Sequence, residues 1–122
     1  MGSEPVAFPL TVWAGSNRYT FSPGRDFTVG RDDRADVPLA DPEHNQGTSR
    51  FHLLLRFDGG QWVAIDTSRN GTFIADERIS RAHIRDGLTI ALADPRRGPR
   101  LLFRVGAPQP FGRPPGRPLG RR

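Results

Sequence analysis

The chain contains no cysteine and no lysine. The first absence excludes disulfides, cysteine-based zinc sites and thiol nucleophiles. The second excludes a Walker P-loop and a Schiff-base lysine. The motifs H-E-x-x-H, G-x-S-x-G and G-x-G-x-x-G are also missing. His44, His52 and His83 lie on three separate segments without metal-ligand spacing. The acidic stretch GRDDRAD, residues 30–36, interleaves its carboxylates with arginine and reads as a solvated turn rather than a cation site. These absences argue against an enzyme, and no cofactor or metal is expected. No apolar run approaches membrane-spanning length. The N-terminal MGSEPVAFPL lacks a basic region, and Pro9 interrupts its apolar run, so it makes a poor signal peptide. The expected location is the cytoplasm.

What is present fits one small domain of 122 residues, with 14 glycines and 12 prolines concentrated in turns and tail. The net charge of +5 is uneven: setting aside Arg113, Arg117, Arg121 and Arg122 leaves +1. From Gly106 onward, GAPQPFGRPPGRPLGRR offers almost nothing to bury, and residues 106–122 are expected to be a disordered Pro/Gly/Arg-rich tail. The body, residues 6–105, has period-two hydrophobicity almost throughout. Extended segments are expected at 6–13, 18–21, 27–30 and 36–40, the last an edge strand because of Pro38. A clean alternation from Phe51 to Phe57 puts Phe51, Leu53, Leu55 and Phe57 on one face and His52, Leu54 and Arg56 on the other. The turn at 58–60, DGG, leads into QWVAID, and further short strands are expected at 71–74, 75–79, 87–92 and 100–105. No window carries a convincing amphipathic helix. The expected class is all-β, a two-sheet antiparallel sandwich.

Three polar clusters fall at strand ends: Gly30-Arg31, Ser49-Arg50-Phe51-His52 and Ser68-Arg69-Asn70-Gly71-Thr72. Each has an ordinary reading taken singly: a surface arginine, a core histidine, a tight Asn-Gly turn. Together they mean more, because loops at one end of a sandwich converge in space. Such a cluster gathers two guanidiniums, a hydroxyl and a carboxamide, with donors in excess. That set suits a phosphate ester, which carries about −1.5 to −2 charge and three acceptor oxygens.

The order Gly-Arg, then Ser-x-x-His, then Asn-Gly resembles the forkhead-associated (FHA) domain family, which binds phosphothreonine peptides. The resemblance spans roughly residues 6–105. It implies that Arg31 and Ser49 hold the phosphate, with Arg50 adding a contact. It implies that Asn70 bonds the peptide backbone and that Arg69 contacts the phosphothreonine residue. Gly30 and Gly71 shape the backbone, and His52 braces the binding loops from behind. The segment 43–48, EHNQGT, is longer than the family pattern, and Thr48 stands where an apolar residue is common. Glu43, His44, Asn45 and Gln46 are therefore expected to select among peptide side chains. The implied function is a phosphothreonine-binding adaptor whose partner is a Ser/Thr kinase substrate or the kinase itself. A phospho-independent assembly module and polyanion binding through the arginine tail are the alternatives, nucleic acid being disfavoured by the near-neutral body.

Overall fold

Among the residues that the computed structural model describes, 6–106 and 109–110, the alternation resolves into short strands without helix. In chain order these are β1 (Val6–Ala7), β2 (Leu10–Ala14), β3 (Asn17–Phe21), β4 (Phe27–Gly30), β5 (Val37–Pro38), β6 (Leu53–Asp58) and β7 (Gln61–Asp66). They continue as β8 (Thr72–Ile74), β9 (Glu77–Ile79), β10 (Arg81–His83), β11 (Thr89–Leu92), β12 (Arg100–Val105) and β13 (Gln109–Pro110). One sheet has the order β10-β7-β6-β4-β5, the other β3-β2-β12-β11-β8-β9, and β1 pairs with β13 separately. Neighbours run antiparallel except β4 and β5, which are parallel. Pro38 does lie on an edge strand, where its missing N–H breaks no ladder.

The two main sheets bury one face each against the other. Val29, Leu53, Leu55 and Ala64 come from the first; Leu10, Val12, Ile90, Leu92, Leu101 and Phe103 come from the second. Each large apolar side chain fully buried this way stabilises the fold by about 1.5–3 kcal/mol. Phe21 stacks on Phe27 with ring centroids 4.3 Å apart, and Trp62 meets Phe57 edge-on at 5.4 Å. Trp62 also donates its indole N–H to the Phe8 carbonyl. The ends of the strands are thereby fixed, and the loops after β4, before β6 and after β7 inherit their positions from a rigid core.

Three segments differ from the sequence-based expectation. The strand expected from Phe51 begins at Leu53, and the alternation breaks before it: Phe51 is 38% exposed while His52 is wholly buried. The cause is a turn at 50–51, which shifts the phase of the side chains by one. Strand β10 was not expected, because Arg81-Ala82-His83 is short and mostly polar; β7 supplies its order through the pairs Arg81–Ile65 and His83–Val63. Beyond Val105, Gly106 donates its N–H to the Pro9 carbonyl, and Gln109–Pro110 pairs with Val6–Ala7. The rest of the expected tail, 107–108 and 111–122, lies outside the described residues.

Candidate functional site

The site grows from the end of β4. The segment 49–52 folds back over Gly30: Arg31 donates its N–H to the Ser49 carbonyl (3.0 Å) and Asp32 to the Arg50 carbonyl (3.1 Å). His52 completes the crossing by donating its N–H to the Val29 carbonyl at 2.7 Å. A Cβ on Gly30 would stand 2.0 Å from the Arg50 carbonyl oxygen, inside contact distance. The Arg31 guanidinium is steered by a hydrogen bond from its Nε to the Thr48 carbonyl (2.9 Å). No hydrogen bond or ion pair within the described residues occupies its two terminal nitrogens.

His52 supports the crossing from below. Its Nδ1 accepts the Ser49 N–H (3.1 Å), so the ring proton sits on Nε2 and donates to the Gly71 carbonyl (2.7 Å). A single neutral imidazole thus ties the Ser49 loop to the Gly71 loop. Burial pushes its pKa below the usual 6.5, opposed by the Gly71 hydrogen bond. A histidine whose folded pKa is depressed favours the fold in its neutral form. The stability is complete above pH 6.5 and is lost as pH falls from there through the folded pKa. Chemical denaturation from pH 8 to pH 5 is expected to show declining stability, with that component of the slope removed in His52→Gln. An unchanged slope in the variant would assign the decline to other groups.

The loop after β7 is held by Asp66. Its Oδ1 accepts from the Ser68 N–H (3.1 Å), the Ser68 hydroxyl (2.6 Å) and the Thr72 hydroxyl (2.8 Å). The Ser68 oxygen in turn accepts the Gly71 N–H at 2.8 Å. Gly71 has φ +106°, a backbone conformation that side-chain-bearing residues rarely adopt. The loop then reaches across to the 49–52 segment. Arg69 donates its N–H to Ser49 Oγ (3.1 Å), which leaves the serine proton available to an outside acceptor. Asn70 donates through Nδ2 to the Gly47 carbonyl (2.8 Å) and keeps its Oδ1 unused among the described residues. Arg31, Ser49, Arg69 and Asn70 are therefore joined by direct or one-step contacts, although 39 positions separate the first from the last.

Arg50 has a partner within the protein. Its guanidinium is drawn to Asp32 (Nη2–Oδ2 3.1 Å), which also receives Arg34 (2.9 Å). These bonds, led by Arg34, hold the Asp32 carboxyl far below the usual carboxylate range. Arg34 also lies over the exposed Phe51 ring, 5.7 Å from its centroid. Arg50 reaches an outside anion only by sharing its charge with Asp32.

The long loop is a bonded turn rather than an open insert. Asp41 accepts from the Glu43 N–H through Oδ1 (3.0 Å) and from the His44 and Asn45 N–H groups through its carbonyl. Its other oxygen lies 2.7 Å from His44 Nδ1, and this contact raises the histidine pKa. Asp41 thereby offsets the charge it stabilises. Asn45 departs from the expectation of a peptide-selecting residue: it is buried and donates to the Leu39 carbonyl at 2.7 Å. Glu43, His44 and Gln46 are exposed. His44 lines a cavity of about 810 Å³ with Trp13, Leu39, Arg100 and Leu102.

Thr48 occupies an apolar position with a polar atom. It is 2% exposed, and its hydroxyl has no hydrogen-bond partner among the described residues. Leaving such a group unpaired costs about 1–3 kcal/mol. Thr48→Val keeps the shape and removes the hydroxyl, so it is expected to raise unfolding stability by about 1 kcal/mol. A lower melting temperature than the parent's would contradict this.

Several residues that shape the site escaped the sequence reading. Residue type alone places Asp32 and Arg34 in a solvated turn and does not mark Asp66 as part of the site. The signal for Asp66 was its spacing: Asp followed two residues later by Ser is an Asx-turn pattern.

The profile of the FHA domain matches residues 27–93. The chain is 48% identical over 117 residues to the ABC transporter ATP-binding/permease protein Rv1747 of Mycobacterium tuberculosis. The match covers 93% of this chain but only 13% of that protein. Among solved structures, the Mycobacterium tuberculosis Rv1747 FHA-1 superposes with a TM-score of 0.75 and 44% identity, covering 83% of this chain and 99% of that one. A second, described in connection with phosphothreonine-dependent FHA domain interactions, gives a TM-score of 0.63 and 28% identity, over 80% of this chain and 95% of the other.

Proposed function

Because the chain belongs to the FHA domain family, we propose that it is a phosphothreonine-peptide binding module serving Ser/Thr kinase signalling, with no catalytic step of its own. The observation that carries this reading is the junction of Arg31, Ser49, Arg69 and Asn70 around a backbone crossing set by Gly30. Among the described residues Arg31 supplies two unpaired guanidinium nitrogens, and Ser49 a hydroxyl that already accepts one bond and keeps its proton free. Both are donors, as a phosphate requires. Asn70 is pinned at one end by Gly47 and offers its carboxamide oxygen to a peptide N–H. Preorganisation lowers the ordering cost of binding, because the donors are already placed. Arg50 enters as a second-rank contact in exchange with Asp32. The body, residues 6–105, is the binding unit, and the cytoplasm is the compartment in which kinase-modified partners would meet it.

The partner is a protein carrying phosphothreonine. The threonine γ-methyl restricts the side-chain rotamers of the phosphoester and can rest on apolar surface, which favours it over phosphoserine. The test is an NMR titration of the labelled chain with a phosphothreonine peptide. Amide shifts are expected at Gly30–Arg31, Thr48–Ser49 and Arg69–Gly71. Shifts centred instead on strands β2, β3 and β12 would replace this reading with a phospho-independent assembly surface.

A further inference from the structure

Arg78 lies beside the proposed phosphate site, yet nothing in the phosphate-binding constellation uses it. It sits on β9, an edge strand, directly opposite Phe73 of β8. Cross-strand geometry then makes Gly71 its diagonal neighbour on the same face. The arginine side chain covers Gly71, guanidinium foremost: a Cβ there would meet Arg78 Nε at 2.8 Å and Cζ at 3.1 Å. Its Nη2 makes a long contact of 3.5 Å with the Arg69 carbonyl. That is the one hydrogen bond of its guanidinium within the described residues, and none of their carboxylates lies within ion-pair distance of it. The nearby acids are turned elsewhere. Asp76 faces Arg96 at 3.9 Å, and Glu77, next on the strand, points to the opposite face. By contrast Arg25, Arg34, Arg56, Arg81 and Arg104 each hold an aspartate within 3.1 Å.

We propose that Arg78 forms a second anionic subsite that selects phosphopeptides carrying an acidic side chain within about three residues of the phosphothreonine. The proposal rests on the phosphopeptide reading. A peptide whose backbone meets Asn70 lies one residue from Gly71, the position that the Arg78 side chain covers. An extended chain advances about 3.3–3.6 Å per residue, so a carboxylate two or three positions away reaches that guanidinium. The planar fork suits a bidentate carboxylate, and a second phosphate offers the same chemistry. The subsite is exposed, so it tunes selectivity rather than supplying most of the affinity.

The test is a positional scan by fluorescence polarisation at low ionic strength. Parent peptides carry one phosphothreonine in an alanine-rich frame. Each position from −4 to +4 is replaced in turn by Asp, and in a second set by phosphoserine. The native chain is expected to favour Asp at one position by about fivefold. Arg78→Gln is expected to lose that preference while binding the parent peptide within twofold, and Arg78→Lys to recover part of it. A stronger effect of phosphoserine than Asp would identify the anion as a second phosphate. No positional preference in the native chain, or one retained by Arg78→Gln, would overturn the subsite while leaving phosphothreonine binding in place. Equal binding of phosphorylated and unphosphorylated parents would remove the phosphopeptide reading itself, and the subsite with it.

Discussion

Gly30→Ala is expected to destabilise the chain by at least about 4 kcal/mol, a large fraction of the stability of a typical small domain. The added Cβ would stand 2.0 Å from the Arg50 carbonyl oxygen, 2.6 Å from its carbon and 2.9 Å from the Phe51 Cα. All three are backbone atoms, and no rotamer change relieves the overlap. Either β4 or the 49–52 segment must move. Moving that segment breaks the bonds from Arg31 N–H to Ser49 and from His52 N–H to Val29. The same displacement separates Arg31 from Ser49, so binding is lost along with stability. Thermal unfolding checks the first effect, and peptide binding below the melting temperature checks the second. A variant that melts within 3 °C of the parent would show that the crossing is looser than its distances indicate.

Arg31→Ala is expected to behave oppositely, with a large loss of binding and little loss of stability. Removing one partner of a charge-assisted contact costs about 2–4 kcal/mol of binding, or roughly 30- to 1,000-fold in Kd. The side chain is exposed, and its one hydrogen bond within the described residues runs from Nε to the Thr48 carbonyl. Unfolding stability should therefore change by about 1 kcal/mol or less. Arg31→Lys keeps the charge but loses both the fork and the Nε anchor, so it should recover less than half of the binding energy. The pair of glycine and arginine variants thus separates holding the loops together from holding the ligand.

The sandwich was legible because its strands alternate and its turns carry Gly and Asp. Strand β12 runs over Arg100–Val105, and β4 over Phe27–Gly30, as their patterns predict. Periodicity failed where a turn changed its phase. His52 and Phe51 exchanged inside for outside because the 50–51 turn precedes β6, and a pattern of period two does not register such a shift. Strand β10 was invisible because its partner, not its composition, orders it. That Arg31, Ser49, Arg69 and Asn70 fall on neighbouring loops was legible, because each lies at a strand end. The capture of Arg50 by Asp32 was not, since their meeting depends on a backbone crossing between positions 18 apart in the chain. Asn45 turned inward for a similar reason: its partner, the Leu39 carbonyl, becomes available only once the 41–48 turn has formed. Thr48 carried a visible sequence signal, a polar residue at an apolar position, and its burial gives that signal a physical consequence.

A phosphate on threonine is the group this cluster is proposed to recognise. The most direct measurement compares one peptide in three forms, phosphothreonine, phosphoserine and unmodified threonine, by fluorescence polarisation against the native chain. The predicted result is saturable binding of the phosphothreonine form, weaker binding of phosphoserine and none of the unmodified peptide over the same range. Equal binding of all three forms would contradict it.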